Sequence, residues 1–481
     1  MNRKHLLSEQ NCLKILMFSV LSSVILFLIC GGDMLLDEFE HMRAAHLVGL
    51  GFHPYKDFFE HHHPLLWWIW APIIKILPHH QIFLLYFLRT ATTLLSCGSA
   101  YYIFQIAKRF FGGTKSALLA LLSYFSFYFA QTTLITFKPD AYMWFFYLCG
   151  LYHFFLYIDT RQQKQLYIST TACAISFMFL QTVVFLLLPL GLFGLYHLYR
   201  HPAYFKDYAL GAIPGLLLLA IFFIVIHLTS GIIPYYQRNW ILNSDLFKYL
   251  QYANGTFWPK FLIFALIGYS AYGYQIKRHQ ATPYMHIAVL ILTVNMLQNI
   301  IIPTPYPRYF LSAALAISFL TAPVILQLSA VAKNYFVAAL FVFNLLNITV
   351  SVYILPNAPY LRQIKILDKK DAMVYMPVLN IYTAHYPYYW FFPALEALDD
   401  RLFGHPFDVN AYIINNINYV SIIPDTDLRP SVHDNTPMEE NNQNAMTELF
   451  NKHHIDIRLL DKYFNLIDDS DSDIYQRIQN K

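Results

Sequence analysis

The chain has 481 residues, of which 57% are hydrophobic, 18% aromatic and only 13% charged, with a mean hydropathy of +0.39. Soluble domains carry about 25% charged and about 45–50% apolar residues, so a water-soluble globular enzyme is excluded, and charge, glycine and cysteine are too sparse for disorder, a collagen-like repeat or a disulfide-stapled scaffold. A polytopic membrane protein remains; the formal net charge is +4, and Lys and Arg stand in short separated groups, so no nucleic-acid partner is expected.

A crossing helix needs about 20 apolar residues to traverse about 30 Å of hydrocarbon with every backbone group bonded internally. Runs that satisfy this begin near Ile15, Phe83, Ser116 and Ala141, and again near Ala209, Phe257, Tyr284, Phe310 and Tyr335. The stretch from Leu166 to Tyr199 is long enough for two crossings. Its basic flanks, Arg161 and Lys164 before and Arg200 and Lys206 after, lie on one side of the membrane only if it crosses twice. The reading is an all-α polytopic membrane protein with about eleven spans.

Between the first two runs, residues 65–77 (LLWWIWAPIIKIL) are too few to cross. Trp67, Trp68 and Trp70 suit the boundary between headgroups and acyl chains, so a helix lying on the membrane surface is expected. With that choice Arg3 and Lys4, then Lys108, Arg109 and Lys115, then Lys277, Arg278 and Lys333 all fall on the cytoplasmic side, with the N-terminus. Residues 33–80 become the first external loop, and the chain divides into a membrane domain, 1–355, and an extracytoplasmic domain, 356–481. No small-residue cleavage site follows Cys30, so a retained first span is expected.

The tail reads as a small α+β domain: strand-like at 372–382, helix-like at 390–403, a short apolar run at 419–423 and a helical pattern at 445–453. Asp468, Asp469, Asp471 and Asp473 lack the glycine and terminal glutamate of a calcium loop and read as a solvated face. Cys12, Cys30, Cys97, Cys149 and Cys173 lie in or beside apolar runs without a CxxC, which argues against disulfides and thiolate metal sites.

The densest chemistry is in the first external loop, where Asp33, Asp37, Glu38, Glu40, Asp57 and Glu60 accompany His41, His46, His53, His61, His62 and His63. Residues 136–141 (TFKPDA) place Lys138 and Asp140 in a turn on the same membrane face. Residues 304–309 (TPYPRY) add Arg308 and Tyr309, and Arg89 lies near the outer end of the second span. Acids with bases converging at one membrane surface suit a lipid whose phosphate needs cationic partners while its hydrocarbon stays in the bilayer.

Asp37 and Glu38 just after the first span, residues 59–65 followed by aromatics, Lys-Pro-Asp at 138–140, and Arg308 with Tyr309 opening a late span together resemble the GT-C glycosyltransferase superfamily. The nearest likeness is to bacterial proteins similar to dolichyl-phosphate-mannose protein mannosyltransferases and lipid A aminoarabinose transferases, and it covers about the first 330 residues. The resemblance implies a bacterial inner-membrane enzyme that transfers a sugar from a polyprenyl-phosphate donor to a lipid, glycan or protein acceptor on the outer face, with inversion. Asp37 matches the family's general base, with Glu38 beside it as the other candidate. Glu60 and Asp140 match positions that orient sugar or acceptor, His63 and Tyr309 join them as substrate-binding residues, and Lys138 and Arg308 would stabilise the departing phosphate.

The sequence departs from relatives that carry Pro-Pro or Lys-Pro-Pro where it has His62, His63 and Pro64. Three consecutive histidines cannot all face one ion in a regular strand or helix. No cofactor is expected: a divalent metal held by one histidine with Asp37 or Glu38 is conceivable but not indicated, and polar lining of a sugar pocket is preferred.

Two other readings compete. A polyprenyl-lipid flippase or transporter would place ionisable residues near the bilayer midplane and repeat its halves, whereas these spans are nearly free of charge and show no repeat. A polysaccharide ligase or polymerase using a lipid-pyrophosphate donor fits nearly as well, because the external segment 232–257, with Arg238, Trp240 and Lys248, serves either donor.

Overall fold

A computed structural model of the protein describes residues 17–18, 20–22, 24–26, 36–77, 79–245, 258–301, 307–349, 374–375, 398–400, 402–404, 419–422, 464–468 and 473–477. Helices dominate: α1 Leu36–Gly49, α2 Leu65–Ile76, α3 Gln81–Phe110, α4 Gly113–Phe125, α5 Tyr128–Ile135, α6 Pro139–Thr160 and α7 Gln163–Phe179. After these come α8 Val183–Arg200, α9 Phe205–Thr229, the short α10 Ile232–Tyr236, α11 Trp258–Lys277, α12 Pro283–Ile301, α13 Leu311–Gln327 and α14 Ala330–Thr349.

Each apolar run expected from Phe83 onward coincides with a helix; most of the first run lies outside the described residues. Among the described residues, seven helices are long and apolar enough to cross a membrane, and eight if a bent pair counts as one span. That pair is the run expected at Ser116, which breaks by 81° between α4 and α5. At 17 residues, α7 is shorter than a straight crossing of about 20. Leu195, Tyr199, Leu216, Leu217, Ile224 and Leu228 stand exposed along α8 and α9. A row of large apolar side chains facing outward is costly in water and favourable in lipid.

The chain forms two compact units: residues 1–33, 89–222 and 255–356, and residues 34–88, 223–254 and 357–481. The first unit centres on α13, whose most apolar window is 78% buried, against 11% for that of α14. In it α6 and α7 pack as an antiparallel hairpin. Gly150 makes the close approach workable: a Cβ there would lie 2.7 Å from Cys173 Sγ, and Ser169 Oγ donates to the Gly150 carbonyl at 2.8 Å.

The second unit is built on α1 packed against α2. Trp67 is fully buried, and its Nε1 donates to His41 Nδ1 at 3.3 Å. This corrects the interfacial assignment of that side chain: Trp67, with Trp70, joins the core beneath α1, while Ile69 and Ile76 face outward. The loop between α1 and α2 turns at Gly51, whose φ of 96° lies in the region where only glycine is unstrained.

The tail contributes four strands to this unit, β1 Val374–Tyr375, β2 Tyr419–Ile422, β3 Phe464–Asp468 and β4 Asp473–Arg477, in one sheet ordered β1-β2-β4-β3. β1 runs parallel to β2, and β4 pairs antiparallel with both β2 and β3. Strands appear where the sequence has short apolar runs at 372–382 and 419–423, and short helical segments at 398–400 and 402–403 fall within the helix-like stretch; the helical pattern expected at 445–453 lies outside the described residues.

Candidate active site

Helix α1 is polar where it is buried. Asp37 stands half-buried in its first turn, where an acidic side chain complements the helix dipole. Glu38, Glu40, His41, Arg43 and His46 behind it are all buried. Asp37, Glu40 and His41 follow i, i+3, i+4 spacing and so share one face. Glu60, His61 and His63, from the loop before α2, are buried as well.

Glu40 and Glu60 meet at His62: its Nδ1 lies 3.3 Å from Glu40 Oε1 and 3.5 Å from Glu60 Oε2. His61 Nδ1 is 3.7 Å from the same Glu40 oxygen. Burial raises the Glu40 carboxyl, and Glu60 adds to that against the pull of His62, bringing it to about 8. Burial acts to lower His62, but the two carboxylates more than reverse it and push the imidazole up to about 10. The cluster therefore holds protons at neutral pH that isolated Glu and His side chains would have released.

A second external segment clamps this loop. Asn243 Nδ2 donates to the His61 carbonyl at 2.9 Å, Tyr55 Oη donates to the His62 carbonyl, and the Tyr235 hydroxyl lies 2.8 Å from His63 Nε2. Tyr235 lies in the short α10, which runs into a π-helical turn at Gln237–Leu242; such turns are rare and recur at functional sites. Arg238 in that turn forms a buried ion pair with Asp399, Nε to Oδ1 at 3.1 Å, and its guanidinium lies 5.4 Å from the Phe403 ring. Lys248, of the same external segment, lies outside the described residues.

In the first unit, Lys138 is buried at the N-cap of α6, followed by Pro139 at the first helical position and half-buried Asp140 in the first turn. Asp140, Trp144, Thr182, Gln298, Arg308 and Tyr309 line one cavity. Its volume is about 30 Å³, room for at least one water. Asn295 Nδ2 fixes the Tyr309 carbonyl at 2.7 Å, and the Arg308 guanidinium lies 5.8 Å from the Tyr309 ring. Arg89 is buried on α3.

Within one unit, then, Asp37, Glu38 and Glu60 come with Glu40 and the histidines; within the other, Asp140, Arg308 and Tyr309 share a cavity whose lining does not include Lys138. His63 Nε2 lies within hydrogen-bond distance of the Tyr235 hydroxyl. Glu40 was legible as a partner of Asp37 from helical spacing, whereas Tyr235 and Asn243 carry no local signal, being about 170–180 residues distant in sequence.

The fold is that of the GT-C polytopic membrane glycosyltransferases, and the protein is an integral membrane protein. Residues 61–228 match the family described as dolichyl-phosphate-mannose-protein mannosyltransferase. The structure is similar to ArnT from Cupriavidus metallidurans bound to undecaprenyl phosphate, with TM-score 0.60 and 10% identity over 96% of this chain and 98% of that one. Apo ArnT from the same organism gives 0.61 and 12% identity, over 96% and 97% of the two chains. The apo oligosaccharyltransferase of Archaeoglobus fulgidus gives 0.51 and 12% identity, over 98% of this chain and 75% of that one. No curated protein sequence matches this chain.

Proposed function

We propose that the protein is a glycosyltransferase that moves a sugar from a polyprenyl-phosphate donor to a lipid, glycan or protein acceptor at the outer face of a bacterial inner membrane. The observation that carries the reading is the likeness, over nearly the whole chain, to a protein bound to undecaprenyl phosphate, joined to a cluster of carboxylates in a chain otherwise poor in charge.

In the proposed reaction the acceptor oxygen attacks the anomeric carbon from the face opposite the phosphate. The new C–O bond forms as the bond to the phosphate oxygen breaks, the configuration inverts, and the acceptor proton passes to a carboxylate. Asp37 suits that role better than Glu38, because it is half-buried and can meet an acceptor while Glu38 is fully enclosed. The leaving group is a phosphate already and needs no acid; cations stabilise the charge that develops on it. Arg308 and Lys138 are assigned to that task, and Glu60, Asp140, His63 and Tyr309 to binding donor and acceptor.

The test is incubation of membranes containing the protein with labelled polyprenyl-phosphate sugars, followed by separation of lipid, glycan and protein fractions. Transfer into one fraction by the wild type, and its loss in Asp37→Asn at equal expression, is the expected result. Full activity of Asp37→Asn removes Asp37 from the chemistry, and movement of the lipid across liposomes without consumption of its sugar overturns the transferase reading.

A further inference from the structure

We infer that Thr182, Gln298 and Ser312 form, with Asp140, a subsite for the hydroxyl groups of the sugar carried by the lipid donor, and so set which sugar is accepted. All four residues belong to one compact unit and line one cavity beside Arg308. The inference rests on the reading of that donor as a polyprenyl-phosphate sugar.

The three neutral groups hold hydrogen-bonding capacity that the fold does not use. Ser312 stands in the first turn of α13 with 1% of its surface exposed, and its hydroxyl has no hydrogen-bond partner among the described residues. A buried hydroxyl in a helix can bond back to the carbonyl four residues earlier, and further along α13 Ser318 and Thr321 do so, to Ala314 and Ile317, each at 2.8 Å. Thr182 precedes α8, where a threonine hydroxyl commonly caps the helix, yet it makes no capping bond. Gln298 lies in α12, a helix apolar and long enough to cross the membrane, where a polar side chain is expensive and marks a functional position. Its neighbours are engaged: Asn295 Nδ2 donates to the Tyr309 carbonyl at 2.7 Å, and Asn299 Nδ2 to the Asn295 carbonyl at 2.9 Å. The half-buried Gln298 amide has no such partner among the described residues.

The chemistry of the set selects its ligand. Cations grip a phosphate and a carboxylate repels it, so three uncharged groups and an acid suit it poorly. Sugar hydroxyls both donate and accept. A carboxylate accepts from them, serine and threonine hydroxyls do either, and a glutamine amide offers a carbonyl and an NH2 group. With Arg308 assigned to the phosphate, the sugar bonded to that phosphate is the part of the donor that reaches the same cavity. Thr182, Gln298 and Ser312 come from the ends or interiors of three different helices, which place side chains more firmly than loops do. A site built to bond a hydroxyl rejects the analogue that lacks it far more strongly than an apolar pocket discriminates by size.

The experiment measures binding and not transfer. The full-length protein in detergent is titrated, with native mass spectrometry as the readout, with undecaprenyl phosphate and with a panel of undecaprenyl-phosphate hexoses, pentoses and N-acetylhexosamines. The wild type should bind at least one sugar-bearing lipid more tightly than the bare phosphate, by about 10-fold or more, as two or more net hydrogen bonds would give. Thr182→Val, Gln298→Leu and Ser312→Ala should each cut that preference by about 5-fold, with the affinity for bare undecaprenyl phosphate and the melting temperature unchanged, because the fold makes no use of these groups. Ser318→Ala, whose hydroxyl is bonded within α13, should keep the preference. A wild type that binds no sugar-bearing lipid more tightly than the bare phosphate overturns the subsite. So do variants that keep the preference, or that lose both affinities together. A sugar preference in a wild type that transfers none of these sugars leaves the subsite standing and overturns the transferase reading instead.

Discussion

The Tyr235 hydroxyl sits 2.8 Å from His63 Nε2, joining residues 172 apart in sequence. Both side chains are buried, and the Tyr235 ring also packs edge-on against Tyr55 at 5.7 Å. Tyr55 in turn holds the His62 carbonyl. One aromatic pair therefore fixes the backbone on which the histidine-carboxylate cluster is carried and holds the third histidine through its ring.

Removing that hydroxyl tests the clamp. Tyr235→Phe keeps the ring packing and deletes one buried hydrogen bond, whose net worth is about 1 kcal/mol. The variant should lose roughly that much stability in a denaturant titration in detergent. An unchanged midpoint would show that the His63 contact contributes nothing to holding the loop.

The Arg238–Asp399 pair should be far more sensitive. Both side chains are almost wholly enclosed, at 3% and 0% exposure, so truncating either leaves a buried charge without its partner, at a cost of about 3–5 kcal/mol. Arg238→Ala and Asp399→Ala should each destabilise strongly, while Arg238→Met with Asp399→Leu should recover most of the loss, because two apolar groups leave no orphan charge. A double variant as unstable as the sum of the two singles would refute this account.

Acid should loosen α1 through His46. Burial holds its imidazole down to about 4, with His79 and Arg43 adding to the effect. Its ordinary value is 6.5. Because the folded value lies below the unfolded one, His46 supports the fold fully above about pH 6.5, and this support is lost as the pH falls toward 4. Melting profiles between pH 7.5 and 4 should fall more steeply for the wild type than for His46→Gln, which carries no charge at any pH; the difference over the whole window should be on the order of 3 kcal/mol. Parallel profiles would assign the acid sensitivity to other groups.

The spans were legible because lipid imposes a length and composition that a single run must satisfy alone, which is why α3, α6 and the later helices fall where apolar runs were found. The break between α4 and α5 was not, since the run across Ser126 and Phe127 remains apolar and nothing local marks an 81° bend. Among the candidate residues, Asp37, Glu60 and Arg308 were visible as charges in an uncharged setting. The pairing of His62 with Glu40, and not with Asp37 or Glu38, depends on how an irregular loop folds back on α1, and periodicity carries no information about that.

The break itself yields the last prediction. A bend inside a membrane frees backbone groups that lipid cannot satisfy, and α14 supplies the replacements. Asn347 Nδ2 donates to the Ser126 carbonyl at 3.1 Å, and Asn344 Nδ2 donates to Ser126 Oγ at 2.8 Å. Gln131 Nε2 reaches Asn344 Oδ1 at 3.2 Å and also donates to the Phe125 carbonyl. Asparagines on an otherwise apolar helix are thus explained as the seal over a broken span. Asn344→Leu removes its part of the seal and should cost about 0.6–2 kcal/mol, the range found for hydrogen bonds between membrane helices. Leu346→Ala, two residues on at an exposed position, should cost much less in the same unfolding assay. Equal losses in the two variants would mean that α14 is held by apolar packing and that the bend is stabilised from elsewhere.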